Sequence, residues 1–222
     1  IRKIVISSGV VTTIAGTGST GSSDGTGTAA SFNLPFGITN DGTNLFVVDA
    51  QNHLIRKIVI SSGVVTTFAG TGSRGSADGT GTAASFNFPQ GITNDGTNLF
   101  VADVGNHLIR KIVISSGVVT TIAGTGSAGN ADGTGTAASF NAPPGITNDG
   151  TNLFVADRSN NTIRKVVIST GVVTTLAGTA GTSGTTDGTG TAALFNYPAG
   201  ITSDGTSLYV TDNINHTIRK ID

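Results

Sequence analysis

The stretch GITNDGTNLFVVDAQNHLIRKIVISSGVVTTFAG, residues 37–70, contains four short apolar segments separated by turn residues. The first segment is Gly37–Thr39, and the Asp-Gly pair that follows it is a strong hairpin signal. The second, third and fourth segments are Leu45–Asp49, Leu54–Ser61 and Val64–Gly70. Their order and their turns predict four antiparallel strands, which we name a, b, c and d along the chain.

This unit recurs along the whole chain. The string IRK begins at five isoleucines spaced by 54, 54, 54 and 55 residues. These are Ile1, Ile55, Ile109, Ile163 and Ile218. A fixed period of this length is the signature of a repeat architecture. We expect one domain, residues 1–222, with repeat units at 1–54, 55–108, 109–162 and 163–217 and a partial fifth unit at 218–222.

The strand pattern predicts how the units pack. Strands b and c are apolar on both faces, as in LFVV and IVI, which suits sheets that are covered on both sides. Four antiparallel strands per repeat, with no helical periodicity, predict an all-β fold, a β-propeller of four-stranded antiparallel blades. A β-solenoid is the alternative, but hairpin turns fit it poorly.

Each repeat carries the same motifs around strand c. Asn-His-Leu occurs at residues 52–54 and 106–108, and degenerate copies occur at 160–162 and 215–217. The flanking motifs are FNxPxGI, LFVxD, IRKI and GVVTTxAG. Together they resemble the NHL-repeat β-propeller family over essentially the whole chain. The resemblance implies a propeller but no single function, because that family includes RNA binders, lyases and extracellular scaffolds. Four repeats depart from its familiar six blades.

Composition excludes several classes of function. There is no cysteine, which excludes disulfides, thiolate nucleophiles and Cys-ligated zinc. The formal net charge of −1 argues against a nucleic-acid partner, and the apolar runs are too short to span a membrane. Few ionic groups and much Gly, Ser, Thr and Asn favour an extracellular protein, secreted or on the cell surface. The chain opens within a motif, so we expect a trimmed chain, a fragment or a segment of a longer protein.

The acidic residues are explained by the repeat plan. All 13 are aspartates. Asp41 and its equivalents lie in Asp-Gly hairpin turns. Asp49 and its equivalents end strand b, where we expect them to bind the corner N–H groups or pair with the arginine of strand c, such as Arg56. Asp24 opens a DGTG loop with only one carboxylate, which is too few for calcium, and we expect an Asx-type loop.

No residues point to catalysis. The three histidines, His53, His107 and His216, occupy one corner position and are interpreted as hydrogen-bonding turn residues. Zinc would need converging ligands and supporting contacts. Lyases of the NHL family use such a metal centre, but no matching ligand set is present. We therefore predict no enzyme activity, no catalytic residue, no metal site and no cofactor.

The number of predicted strands is one more than four four-stranded blades need. The sequence predicts 17 strands, of which five are of type c. Three blades are complete, and a fourth is expected from the C-terminal a, b and c strands with the N-terminal d strand. One c strand then remains, either Ile1–Ser7 or Thr217–Asp222. Three interpretations stay open: a four-bladed ring with a frayed strand, a piece of a larger propeller, or a strand that pairs with the next subunit.

Our first functional prediction is a structural or adhesive protein that self-associates. Strand addition at the chain termini would build a fibre if the contact does not close. The expected partner is a second copy of the chain. The expected subunit-pairing residues are Ile1, Ile4, Ile6, Ile218 and Ile221.

The alternative is a propeller that binds a glycan or a protein. The repeats differ mainly in the d–a loop and the b–c corner, which lie on the same face of an antiparallel blade. Relaxed drift in tolerant loops also explains this variation. The only basic residues outside the IRK motifs lie on that face as well. The candidate binding residues are Arg74, Arg158, Phe36, Gln90, Phe88 and Tyr197.

Overall fold

The computed structural model describes residues 1–222 as short strands joined by tight turns and single-turn 3-10 helices. The strands are β1 (Arg2–Ile4), β2 (Val11–Thr13), β3 (Gly25–Thr26), β4 (Pro35–Asn40), β5 (Asn44–Asp49), β6 (Leu54–Val59), β7 (Val64–Ala69), β8 (Gly79–Thr80), β9 (Pro89–Asn94), β10 (Asn98–Asp103), β11 (Leu108–Val113), β12 (Val118–Ala123), β13 (Gly133–Thr134), β14 (Gly145–Asn148), β15 (Asn152–Asp157), β16 (Thr162–Val167), β17 (Val172–Ala177), β18 (Pro198–Ser203), β19 (Leu208–Asp212) and β20 (Thr217–Ile221). The 3-10 helices are Gly27–Ala29, Ala50–Asn52, Gly81–Ala83, Val104–Asn106, Gly135–Ala137, Arg158–Asn160, Gly190–Ala192 and Asn213–Asn215. None of the helices has the length and apolar character needed to cross a bilayer.

The strands form an N-terminal hairpin and four larger antiparallel sheets, which are the blades of a propeller. The hairpin pairs β1 with β2. Blade 1 has the order β3-β7-β6-β5-β4, blade 2 the order β8-β12-β11-β10-β9, and blade 3 the order β13-β17-β16-β15-β14. Blade 4 contains only β18-β19-β20. The predicted all-β propeller fold is confirmed. The sequence missed β3, β8 and β13, because a lone Gly-Thr pair carries no strand signal.

The hydrophobic core lies between consecutive blades rather than within one. One cluster joins Phe46 and Ile55 of blade 1 to Phe86 and Leu99 of blade 2, and all four side chains are fully buried. Equivalent clusters join blade 2 to blade 3 and blade 3 to blade 4. This is why strands b and c are apolar on both faces: blades 2 and 3 are each covered by two neighbouring blades.

The inner strands β4, β9, β14 and β18 pack side by side around the axis. A Cβ atom on Gly91 would lie 2.6 Å from the carbonyl oxygen of Pro144 in the next blade. Gly37 and Gly145 abut the next blade's backbone in the same way. Only glycine permits this approach. Asn94 adds a hydrogen bond of 3.0 Å from its side-chain amide to the Asn40 carbonyl oxygen.

The propeller is an open arc, because β18 does not pack back against β4. A Cβ atom on Gly200 in β18 would meet only the side chain of Thr211, in its own blade. At the other end, Ile38 of β4 is 50% exposed, whereas its equivalents Ile92 and Ile146 are 7% and 6% exposed. The four blades therefore end in two free faces.

The expected exchange of the N-terminal d strand into the C-terminal blade is wrong for this structure. The N-terminal d strand, β2, pairs with β1 instead, with Arg2 opposite Thr13 and Ile4 opposite Val11. The outer edge of β20 has no strand beside it. Because the arc is open, blade 4 lies away from the N-terminal hairpin. Strand β2 therefore pairs with β1, the strand nearest to it in sequence, and not with β20.

Candidate functional site

A buried arginine clamps each complete blade. In blade 1 the Arg56 guanidinium lies 2.9 Å from the Asp49 carboxylate and 2.8 Å from that of Asp24. The hydroxyl of Thr67 also donates to Asp24, at 3.1 Å. The predicted pairing of Asp49 with Arg56 is confirmed. The expected Asx-type role of Asp24 is corrected, because its carboxylate ties the loop to strands c and d.

The same clamp in blades 2 and 3 uses residues 54 and 108 positions further along. The sets are Arg110 with Asp103 and Asp78, and Arg164 with Asp157 and Asp132. Burial raises the pKa of Asp103 to about 6, although hydrogen bonds from Asn87 and Asn106 and the charge of Arg110 favour its ionised form. Arg110 also lies 5.2 Å over the Phe86 ring. Each arginine and its strand-b aspartate are fully buried, whereas the loop aspartates are half exposed, and all of them hold the blade together.

The histidine corner links one blade to the next. His53 has a φ of 58°, and its Nδ1 accepts a 3.0 Å hydrogen bond from the Phe88 backbone N–H. Burial, and then the charge of Arg74, lower the pKa of His53, which keeps the ring neutral and able to accept. Asn161 holds the equivalent position in the next-to-last repeat, and its Oδ1 accepts a 2.9 Å hydrogen bond from the Tyr197 backbone N–H. The interpretation as corner hydrogen-bonders is confirmed for His53 and His107, whose bonds cross between blades, whereas the side chain of His216 forms no such bond.

No group of three or more His, Cys, Asp or Glu side chains converges to hold a metal ion. The functional candidate is instead a cavity of about 510 Å³ where the four inner strands meet at the axis. It is lined by inner-strand glycines and isoleucines and by the residue that precedes the first of these glycines in each repeat. Those four residues share a repeat position but differ in type: Phe36, Gln90, Pro144 and Ala199.

The b–c corners reach the same cavity. Arg158 in blade 3 and Asn213 in blade 4 line it beside Phe36, which is 65% exposed. The Nε atom of Arg158 is buried and has no hydrogen-bond partner. The terminal amino groups of the Arg158 guanidinium form no ion pair with a carboxylate of the chain, and they are the donors that remain for an acceptor group in the cavity.

The structure brings three of the six predicted binding residues together. Phe36, Gln90 and Arg158 line the axial cavity. Phe88 and Tyr197 do not line it, and their left-handed backbone and N–H groups belong to the joint between blades. The remaining candidate is exposed on an outer loop near His53: Arg74.

Besides the inner-strand glycines and isoleucines, sequence reasoning missed Pro144, Ala199 and Asn213 of the cavity. Pro144 and Ala199 occupy the repeat position of Phe36 and Gln90, so the alignment of the repeats contained their signal. Asn213 occupies the corner position of Arg158 and was identifiable in the same way. Their own side chains suggest no chemistry, and only the convergence of the inner strands groups them.

Curated proteins resemble the chain over most of its length. No family model matches it. Human NHL repeat-containing protein 2 is 31% identical over 239 residues, covering 91% of this chain and 33% of that protein. The chloroplastic protein SUPPRESSOR OF QUENCHING 1 of Arabidopsis thaliana is 31% identical over 228 residues, covering 94% of this chain and 22% of that protein. The chain thus spans about a third or less of these relatives.

Solved structures share the fold. An auxiliary nutrient binding protein from Bacteroides ovatus superposes with a TM-score of 0.71 at 20% identity, covering 100% of this chain and 58% of that chain. A catalytically inactive virginiamycin B lyase from Staphylococcus aureus superposes with a TM-score of 0.53 at 20% identity, covering 85% of this chain and 55% of that chain. The repeat motifs, the four propeller blades and the NHL-containing relatives agree, and the chain belongs to the NHL-repeat β-propeller family.

Proposed function

We propose that this propeller is a non-enzymatic binding module that holds part of a glycan or a protein in its axial cavity. One observation carries the proposal: positions that vary between nearly identical repeats line one cavity. The starts of inner strands β4 and β9 contribute Phe36 and Gln90, and a b–c corner contributes Arg158. If the repeats differed only because loops tolerate substitution, their differences would have no reason to fall at positions that line one cavity.

The chemistry of the cavity suits such a ligand. Its volume of about 510 Å³ is typical of binding sites, which combine apolar walls with a few placed polar groups. Phe36 and Ile38 supply exposed apolar surface, while Gln90, Arg158 and Asn213 supply donors and acceptors. The guanidinium of Arg158 favours a ligand with a carboxylate or several hydroxyl acceptors.

The structural neighbours give limited support. A nutrient binding protein and a lyase share the fold at 20% identity, so neither defines the activity of this chain. The aspartates of the clamps are committed to arginines, and the histidine corners bind backbone N–H groups. We therefore place function in binding, and we propose an extracellular location, secreted or on the cell surface, as the composition predicts.

Binding is tested by titrating the protein with a panel of neutral and acidic oligosaccharides in a calorimeter. For a ligand that binds, Arg158→Ala should weaken affinity about tenfold or more, because a hydrogen bond to a charged group contributes about 1.5–3 kcal/mol. Lys111→Ala, which removes a half-buried cation of the IRK motif, is the matched control and should leave the affinity unchanged. Equal losses in both variants would place binding outside the cavity.

We propose self-association as a second function, because the free ends of the arc expose apolar side chains. Ile4 is 62% exposed and Ile6 fully exposed at the N-terminal end, while Ile218 is 70% exposed at the other. The internal equivalents of Ile218, at Ile55 and Ile109, are fully buried between blades. Covering such surface favours association by about 25 cal/mol per Å².

Sedimentation velocity across a wide range of protein concentration tests this second function. We expect species of two or more copies whose share rises with concentration, and electron microscopy of those fractions should show extended or ring-shaped assemblies. A single species with the mass of one chain at every concentration would contradict self-association and leave the binding function untouched.

A further inference from the structure

A histidine holds the chain just before one residue that lines the axial cavity. His53, in the b–c corner of blade 1, accepts a 3.0 Å hydrogen bond from the Phe88 N–H of blade 2. Pro89 follows, and its ring fixes the backbone angle φ at that position. Gln90, two residues after Phe88, lines the cavity. The position of this cavity residue therefore depends on a bond to an imidazole of the neighbouring blade.

The joint between blades 2 and 3 repeats this arrangement. His107 accepts a 3.0 Å hydrogen bond from the Ala142 N–H, and Pro144, two residues further along, lines the cavity. We call His53 and His107 the corner histidines. Both of their donors have a left-handed backbone, with φ of 53° at Phe88 and 52° at Ala142. Such strain persists only where surrounding contacts hold it, so loss of the bond lets the donor residue relax and shifts the chain that follows.

The surroundings of the corner histidines keep them neutral near pH 7. Burial, including contact with the Phe88 ring at 6.3 Å, lowers the pKa of His53 below its ordinary value of 6.5, and the charge of Arg74 lowers it further. Burial also lowers the pKa of His107, where Ala128 holds the repeat position of Arg74. The two bonds are therefore complete above pH 6.5 and are lost as the pH falls through the lowered pKa values.

Two aspartates bind the residues that precede these donors. Asp103 accepts the N–H of Asn87 at 2.8 Å, and Asp157 accepts that of Asn141 at 2.7 Å. Burial raises the pKa of both carboxyl groups, to about 6 for Asp103. A protonated carboxyl group still has an oxygen that accepts, whereas a protonated imidazole has no acceptor left. Acid therefore removes the acceptor only at the histidines.

We propose that acid opens the axial cavity, because protonation of the corner histidines releases the segments that carry Gln90 and Pro144. The inference rests on the binding function proposed above and adds its regulation: the cavity releases its ligand in mildly acidic solution. An imidazolium donates from both ring nitrogens, so its Nδ1–H and the Phe88 or Ala142 N–H would point at each other. A site that is only partly in its binding conformation binds more weakly in the same proportion.

The joint between blades 3 and 4 is an internal control. There the Oδ1 atom of Asn161 accepts the Tyr197 N–H at 2.9 Å, and Ala199, two residues further along, lines the cavity. Tyr197 has the same left-handed backbone, with a φ of 57°. A side-chain amide does not titrate in this range, so this part of the cavity should stay in place when the pH falls.

A pH titration followed by NMR tests the proposal on the protein alone. The amide signals of Phe88 and Ala142 should shift with the same midpoints as the ring signals of His53 and His107, below pH 6.5. Exchange of the two amide hydrogens, corrected for the intrinsic rate, should become about two- to tenfold faster, the factor expected from losing one hydrogen bond. The Tyr197 amide should show neither change. Constant Phe88 and Ala142 signals in the unaltered protein would overturn the proposal.

Exchanging the acceptors between joints gives two independent variants. His53→Asn with His107→Asn copies the third joint and should abolish the acid response of the Phe88 and Ala142 amides. Asn161→His should give the third joint a response of the same kind. Far-UV circular dichroism at neutral pH checks that each variant is folded. A response that persists in the double variant, or one that does not appear in the Asn161 variant, would assign the change to another group and overturn the proposal.

Calorimetry with the neutral oligosaccharides of the panel tests the release of ligand. An oligosaccharide that binds at neutral pH should bind about two- to tenfold more weakly below the histidine midpoints, and equally at both pH values in the double variant. Equal affinity of the unaltered protein at both pH values would overturn the release. If no oligosaccharide or protein ligand binds at any pH, the binding function fails, whereas the amide signals still decide whether acid frees the two segments.

Discussion

Replacing Arg110 by alanine should lower the free energy of unfolding by about 3–5 kcal/mol, because it leaves the buried Asp103 carboxylate without its cation. Both side chains are fully buried, and the guanidinium also bonds the Ser85 carbonyl oxygen at 3.0 Å. A loss of this size is a large share of the ~5–15 kcal/mol that stabilises most proteins. Urea unfolding followed by far-UV circular dichroism measures it, since the chain has no tryptophan.

The repeat supplies matched controls for this change. Arg2→Ala removes the same residue of the same IRK motif, but Arg2 is exposed and unpaired, so stability should stay within about 0.5 kcal/mol. Arg219 should rank between them, because its side chain is 12% exposed and its partner Asp187 is 94% exposed. Equal unfolding midpoints for the Arg110 and Arg2 variants would show that the clamp does not stabilise the blade.

Replacing Gly91 by alanine should also be strongly destabilising, by about 3 kcal/mol. In a strand with free space around it, replacing glycine by alanine usually stabilises the protein. The expected loss of stability for Gly91→Ala therefore comes from packing alone. The added Cβ would lie 2.6 Å from the carbonyl oxygen of Pro144, which precedes the next inner strand, β14, and 3.2 Å from Ile146 within that strand. Backbone atoms cannot move aside without separating blade 2 from blade 3. Thermal and urea unfolding should both report the loss.

Gly200→Ala is the matched control, because Gly200 holds the same repeat position at the free end of the arc. The nearest atom to its added Cβ is the Thr211 side-chain oxygen, 3.1 Å away. That side chain is exposed and can shift at the cost of the 2.7 Å hydrogen bond that it accepts from the Gly200 N–H, so the loss of stability should stay below about 1.5 kcal/mol. A large loss in the Gly200 variant would mean that this strand is packed against an inner strand in solution.

The sequence predicts contacts between residues that are close together in one repeat, but not contacts made across a long loop or between blades. Asp49 and Arg56 lie at opposite ends of one b–c corner, and their pairing was predictable because the hairpin places them together. Asp24 reaches the same arginine across a d–a loop, and no local pattern indicates that contact. Gly91 looks like any strand glycine in sequence, and its role depends on a strand of the next blade.

The candidate site shows the same division. Phe36, Gln90 and Arg158 stand out because they differ between repeats that are otherwise nearly constant. Pro144 and Ala199 vary at the same position but carry no obvious chemistry, and they enter the site only because four inner strands meet at one axis. Phe88 and Tyr197 also vary, yet their backbone conformation commits them to the joint between blades.

The sequence by itself determined the blade, because turns and hairpin pairings depend on residues close together within one 54-residue unit. It also located the variable face, since both connections on that face belong to the same unit. Only the tertiary structure decided that the arc stays open and that β2 pairs with β1. The angle between blades depends on how clusters of side chains from two repeats fill one interface, and those contacts leave no pattern within a single repeat.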